Sequence, residues 1–376
     1  MTTYPISSRA AVLEHFGAPV PVSEVRVPQL EELEPRAILV RVRMASVCGT
    51  DVHLWEGGAF NANPMNLPQV MGHEMVGEIV AFGEGPHVDS LGQPLKVGDR
   101  ILWSHAPCGT CYYCSVIREP SLCLNRQSYG RLPTSQFPYI SGGFAEFCYV
   151  FPNSGRVKVP DEVPDSWASA ASCALRTVVH LLETIDDIAP HETAVVQGVG
   201  PLGLYAVSML KHRGVGTIIA IGAPDARLAL AKSYGATHLV SVEELPSADA
   251  RVDVVRAATT GGRGADVVLE MSGARSAVVE GLAFIAPGGR YGIVGQTNPT
   301  AVEIDPSIFV RKQISVHGAL SAHIGHYAKA LDFLRQTKGE YDWDAMFTSP
   351  VGLDRVTDAM AGMRRGVMKP LIDPSL

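Results

Sequence analysis

The sequence predicts an α/β protein: a doubly wound parallel sheet joined to a second, mostly-β body. Three observations carry this expectation. A chain of 376 residues is longer than one hydrophobic core usually serves, so two domains are expected. From Ala10 to about Pro160 it reads as short alternating strands broken by glycine and proline, among them "AILVRVRMASV", "MVGEIVAFGEG" and "VGDRILWS". After Ala170, strands and helices alternate at the spacing of repeated βα units.

Those units follow in order. "TAVVQGV" is a compact apolar strand, and the helical run "PLGLYAVSMLKHRG" comes next. The strand "TIIAIG", the helix "DARLALAKSYGA" and the strands "HLVSV", "ADVVLEMSG" and "GGRYGIVG" complete the set. The last strand is expected near the sheet edge, where it could serve an oligomer contact. In the tail after about Val310, "HYAKALDFLRQ" is an amphipathic helix that would return to the first half.

Composition is that of a globular chain, 46% hydrophobic and 18% charged. A net charge of −7, with no Lys/Arg cluster, argues against nucleic acid as a partner. No window of about 18 apolar residues exists, so no membrane span is expected. The start "MTTYPISSRAAVLEHFG" lacks a secretory pattern, and a cytoplasmic location is expected. In that reducing compartment the 7 cysteines read as metal ligands or core thiols rather than disulfides.

"GVGPLG" places Gly198, Gly200 and Gly203 in a GxGxxG pattern between an apolar strand and a helix starting near Pro201. Gly198 would permit the tight turn, Gly200 a close approach to a pyrophosphate, and Gly203 tight helix–strand packing. The alternative is a plain strand–turn–helix; the βα units that follow favour nucleotide binding. At the end of the next strand, where NAD enzymes place a ribose-binding acid, stands Gly222, followed by Asp225 and Arg227. Glycine leaves room for a 2′-phosphate that Arg227 could pair with, so NADP is favoured over NAD. Asp225 reaching the ribose would reverse that choice.

"CGTCYYCSVIREPSLC" holds Cys108, Cys111, Cys114 and Cys123, separated by two, two and eight residues. Four thiolates in a loop without a core of its own suit a closed tetrahedral zinc site; an iron–sulfur cluster is the competing metal reading. A second set is less dense. Cys48 in "VCGTDVHLW", His73 in "GHE" and Cys173 in "ASCALRT" would leave a fourth position open, as catalytic zinc requires, where the two halves meet. Taken singly, Cys48 and Cys173 read rather as core thiols and His73 as a satisfied loop histidine. Cys148 in "AEFCYV" reads as a small core residue, and Trp55 and Phe60 as pocket wall or plain packing.

"CGTDVH", "GHE", the four-cysteine loop and "GVGPLG", in this order, resemble the zinc-dependent medium-chain alcohol dehydrogenases from about Ala10 to the C-terminal "MKPLIDP". The resemblance implies a GroES-like catalytic domain over 1–174, completed by a return segment over 311–376, with a Rossmann NAD(P)-binding domain over 175–310. It implies reversible hydride transfer between a primary or secondary alcohol, or a polyol, and NAD(P), with two zinc ions per chain. Cys48, His73 and Cys173 match the catalytic zinc ligands, and Glu74 matches a carboxylate able to approach the metal. Asp51 matches the acid that orients the ligand histidine, and Thr50 and His53 the proton relay. Thr177 falls at a nicotinamide contact, Lys369 at a pyrophosphate contact, and Pro201 and Leu202 within the cofactor turn. A homodimer or homotetramer is expected.

Three positions depart from the family pattern. Gly49 replaces a basic residue found in some members, and the spacer before Cys123 is one residue longer than the commonest. Arg176 stands where a small or neutral residue would be easier to place. It is expected at solvent or against an acid; meeting an anionic substrate or the cofactor phosphates is the alternative. Two other readings of the whole chain are a zinc-free enoyl or quinone reductase on the same architecture and an inactive cofactor-binding scaffold.

Overall fold

A computed structural model describes residues 4–58, 67–296 and 301–376. The chain divides into two compact units, Met1–Arg176 with Ala322–Leu376 and Thr177–Ser321. The first is mostly β. Its strands are β1 (Ser7–Leu13), β2 (Val22–Arg26), β3 (Ile38–Ser46), β4 (Gln69–Val70), β5 (Met75–Phe82), β6 (Arg100–Trp103), β7 (Phe147–Val150) and β8 (Arg156–Lys158). One antiparallel sheet has the order β2-β1-β4. The other runs from a C-terminal strand, Leu371–Ile372, through β3, β5 and β6 to β8, with β7 also on β3.

Alternation decides which face of β3 is buried. Val40 and Val42 turn inward while Arg41 and Arg43 stay exposed, as a period of two requires. The inward side chains join Leu13, Ile79, Phe144 and Tyr149 in one core. Each fully buried aliphatic or phenyl side chain there is worth about 1.5–3 kcal/mol against exposure. The C-terminal strand pairs Leu371 with Ser46, and Val47 N–H donates to the Pro370 carbonyl at 3.0 Å. This register brings the tail of the chain beside Cys48. The amphipathic helix expected in the tail is present as Ile324–Gln336 and belongs to this unit.

The second unit has the doubly wound sheet the sequence predicts. Strands β9 (Thr193–Gln197), β10 (Thr217–Gly222), β11 (His238–Ser241), β12 (Ala265–Glu270), β13 (Ile285–Ile293) and β14 (Ser315–Gly318) run in the order β11-β10-β9-β12-β13-β14. All pairings are parallel. Helices cover such a sheet on both faces, so central β9 is buried at all five positions and reads as an unbroken apolar run. Strand order reverses between β9 and β12, which opens a crevice at their carboxyl ends. The "GGRYGIVG" strand, β13, lies near the sheet edge as expected, with β14 paired along it as the edge strand itself.

Among the described residues no helix is long and apolar enough to cross a membrane. Inside the second unit Arg251 and Glu280 form a buried bidentate pair, Nε to Oε1 at 2.9 Å and Nη2 to Oε2 at 2.6 Å. Removing one member strands a charge in low dielectric. Glu280→Ala is expected to lower stability by about 3–5 kcal/mol in urea unfolding, and Arg251→Met with Glu280→Leu to recover most of it. A single-variant loss below about 1 kcal/mol would contradict this account of the pair.

Candidate active site

Cys48, His73, Glu74 and Cys173 each place one ligand atom within 4.8 Å of the others, all in the first unit. Three local devices bring them there. Cys48 precedes the short helix Gly49–Trp55 as its N-cap, held by Asp51 Oδ2, which accepts from Cys48 N–H at 2.9 Å. His73 and Glu74 follow a turn at Gly72, whose φ of +89° suits glycine and whose missing Cβ leaves room for Phe144. Cys173 lies in a single π turn, Ala171–Leu175, between the helices Asp165–Ala170 and Arg176–Thr184; the Arg176 N–H reaches back five residues to the Ala171 carbonyl. Such turns insert an extra residue and are frequent at functional sites.

The other oxygen of Asp51 faces His73 Nδ1 at 3.0 Å. Asp51 is 1% exposed, so a single carboxylate fixes both the Cys48 backbone and the His73 ring. Burial works against a charged imidazole, but Asp51, with help from Cys48, raises the His73 pKa to about 10. Cys48 is drawn well below the ordinary thiol range by the hydrogen bond from Cys173, against burial, with His73 assisting. The same bond holds Cys173 up. Two partly exposed thiols and an imidazole competing for protons form a donor set suited to a borderline-soft dication.

Glu74 is fully buried, and burial pushes its carboxyl up to about 7 against the pull of Lys369. Its Oε2 accepts from Ser46 Oγ at 2.5 Å and from Lys369 Nζ. Its Oε1 is buried with no hydrogen-bond partner among the described residues. Lys369, expected as a pyrophosphate contact, is 3% exposed, with its ammonium on Glu74. Sequence reasoning missed Ser46, because its role depends on the register that sets the C-terminal strand against β3.

Thr50 and His53 lie three residues apart on the helix after Cys48 and therefore share a face. Burial, and then Arg364, lowers the His53 pKa. Trp55 packs on the core with its indole N–H on the Ala18 carbonyl at 2.7 Å, a packing role rather than an open wall. Phe60 lies outside the described residues. Cys148 is fully buried in β7, as expected of a core thiol.

The four-cysteine loop closes on itself. Sulfur separations are 3.5 Å for Cys111–Cys114, 3.9 Å for Cys111–Cys123 and 3.5 Å for Cys108–Cys123. A tetrahedron with metal–sulfur bonds near 2.3 Å has edges of about 3.8 Å, so these four residues fit a structural zinc.

In the second unit Gly198, with φ +107°, makes the turn after β9, and a Cβ there would strike the Ser272 backbone at 2.8 Å. Gly200 caps the helix Pro201–His212, whose first residues are Pro201 and Leu202; a Cβ on Gly200 would meet nothing within 4 Å. That open space before twelve helical residues suits a pyrophosphate. Gly203 packs its missing Cβ against the Gly198 carbonyl. At Gly222 the structure gives a different reason for glycine: a Cβ would come within 2.5 Å of Val199 Cγ2, so this residue serves turn packing. Asp225 accepts from Ser241 Oγ at 3.2 Å, and Arg227, on the same helix, is partly buried. Thr177 is buried at the start of the second unit. Arg176 corrects the expectation of a solvent-facing side chain, since it is 2% exposed.

A doubly wound sheet with a glycine turn at its reversal, together with a mostly-β unit bearing two thiol-rich donor sets, is the build of a zinc-containing nicotinamide dehydrogenase. The chain belongs to the zinc-dependent medium-chain dehydrogenase/reductase (alcohol dehydrogenase) family. Residues 34–161 match the alcohol dehydrogenase GroES-like domain, and residues 201–336 match the zinc-binding dehydrogenase family. It is 31% identical over 372 residues to 5-exo-hydroxycamphor dehydrogenase of Pseudomonas putida, covering 97% of this chain and 100% of that protein. An alcohol dehydrogenase from Thermotoga maritima superposes with a TM-score of 0.89 at 28% identity, covering 98% of this chain and 100% of that one. A protein of Sinorhizobium meliloti 1021 solved bound to NADP has a TM-score of 0.81 at 26% identity, with 98% and 99% covered. The relatives act as dehydrogenases on CH–OH groups.

Proposed function

We propose that this chain is a zinc-dependent alcohol dehydrogenase, transferring a hydride reversibly between a primary or secondary alcohol, or a polyol, and NADP in preference to NAD. We further place it in the cytoplasm as a homodimer or homotetramer. The observation that carries the reading is the Cys48–His73–Cys173 donor set with Asp51 bonded to both Cys48 and His73. These three residues would hold the catalytic zinc, with Glu74 as an additional donor, and Cys108, Cys111, Cys114 and Cys123 the structural one. When bound, the first ion supplies Lewis-acid polarisation of the substrate oxygen, and the nicotinamide supplies or accepts the hydride.

The chain's own residues do the rest. Asp51 fixes the His73 ring through Nδ1 and so aims Nε2 at the donor set. Thr50 and His53, on one helix face, pass the substrate proton outward; burial and the neighbouring Arg364 lower the His53 pKa, which favours the neutral, proton-accepting imidazole. The turn Gly198–Gly203 binds pyrophosphate, and Arg227 faces the adenosine end.

The test is a fluorescence titration with NADH and NADPH on a preparation whose zinc content is measured in parallel. NADPH binding about tenfold tighter, with two zinc ions per chain, is expected. Tighter NADH binding overturns the NADP preference and assigns the ribose to Asp225. Cofactor binding with only one zinc points to the zinc-free reductase, and binding of neither nucleotide removes the dehydrogenase reading.

A further inference from the structure

A buried carboxylate without a cation stands at the end of β12, in the second unit. Glu270 is 0% exposed. Its Oε1 accepts from the Ser272 N–H at 2.8 Å, the Ser272 hydroxyl at 2.7 Å and the Gly273 N–H at 2.8 Å. Three donors on one oxygen suit a carboxylate, which accepts and does not donate. Its Oε2 is buried with no hydrogen-bond partner among the described residues, and no cationic side chain among them pairs with it. The second buried acid of this unit, Glu280, has Arg251 at 2.6 Å.

Three turns close around this carboxylate. The Glu270 carbonyl accepts from the Val294 and Gly295 N–H groups at 3.0 and 3.1 Å, which ties the turn after β13 to the end of β12. A Cβ on Gly295 would stand 2.7 Å from Glu270 Oε2, and one on Gly273 2.8 Å from the Gly295 carbonyl oxygen. The turn after β9 joins them, because Gly198 lies against the Ser272 backbone. Close approach of these backbones seals Oε2 from water.

These turns occupy one side of the crevice. The pyrophosphate is assigned above to the turn after β9, and the adenosine to the side of Arg227, which follows β10. A dinucleotide lying across the reversal of strand order then puts its nicotinamide over the ends of β12 and β13. Sealing a charge from water without a partner is unfavourable. A glutamine would fill the same space and accept the same three bonds without that cost. The charge therefore calls for a cation from outside the chain. An oxidised nicotinamide ring carries a positive charge, and a reduced one carries none.

We propose that Glu270 is the electrostatic counterpart of the oxidised nicotinamide and biases cofactor binding towards the oxidised form. The proposal rests on the dehydrogenase reading above. Hydride transfer to the ring removes its charge, so the carboxylate that retains the oxidised cofactor does nothing to retain the reduced one. Sealed beneath the turns, Glu270 touches no reacting atom and is a positioning residue.

The test is calorimetric titration of the zinc-loaded protein with NADP and NADPH, and with NAD and NADH. In Glu270→Gln the oxidised form should bind about tenfold more weakly while the reduced form stays within about twofold of the parent. ADP, which has no nicotinamide, should bind the parent and this variant alike. If Glu270→Gln does not fold, Ser272→Lys sets a cation on the exposed turn over the same carboxylate and should move the oxidised-to-reduced ratio in the same direction. Oxidised and reduced forms weakened equally, or a ratio unmoved in both variants, overturns the proposal while the dehydrogenase reading stands. Failure of the parent to bind any of the four dinucleotides brings down both.

Discussion

Cys48→Ala is expected to lower kcat/KM by about four orders of magnitude, roughly 5.5 kcal/mol of transition-state stabilisation. The loss should appear in kcat, with zinc content falling from two per chain to one. The reason is geometric. Cys48 is joined to the other donors through Asp51, which bonds its backbone N–H and faces His73. Removing its sulfur leaves Cys173, His73 and a Glu74 already bonded to Lys369 and Ser46. That residue set lacks one of the three protein ligands a catalytic zinc usually keeps. Cofactor binding should survive, because the glycine turn belongs to the second unit. The measurements are steady-state rates, metal analysis and NADPH fluorescence on one preparation. A variant within tenfold of the parent rate takes Cys48 out of the active site.

Cys123→Ser should have the second largest effect, on integrity rather than chemistry. The loop from Cys108 to Cys123 has almost no core to rest on: its helix is four residues long, and Tyr112, Val116 and Leu122 are exposed. Cys123 is its buried anchor, 4% exposed and accepting from the Cys108 N–H. Where backbone lacks apolar support, metal binding supplies the folding free energy. The variant should lose one zinc, melt about 5–10 °C lower, and be cut by trypsin at Arg118 far faster than the parent. Equal melting and equal proteolysis would show that the loop holds itself. Iron in place of zinc in the parent would select the cluster reading.

What could be read in the chain was local. The βα order after Ala170, the glycine turn and the four-cysteine loop each depend on residues close in sequence, and the parallel sheet appears where they put it. What could not be read depends on register and burial between distant segments. Lys369 meets Glu74 because the C-terminal strand pairs Leu371 with Ser46, and no pattern near Lys369 announces that pairing. Gly222 suggested space for a phosphate, but the nearest obstacle to a side chain there is Val199 of the preceding turn. Arg176 defeats the ordinary rule that a charged residue on a helix faces water, since Tyr327 arrives from a helix about 150 residues later in the chain to cover it.

The π turn at Ala171–Leu175 carries a consequence for how this segment tolerates change. One extra residue is wound into an otherwise α-helical path from Asp165 to Thr184. Deleting one residue of the five would let the path close as a regular α-helix with the flanking turns kept near their present register, so the change would fall on the turn that carries Cys173. The length of this turn, as much as the identity of Cys173, therefore sets where that thiol is presented.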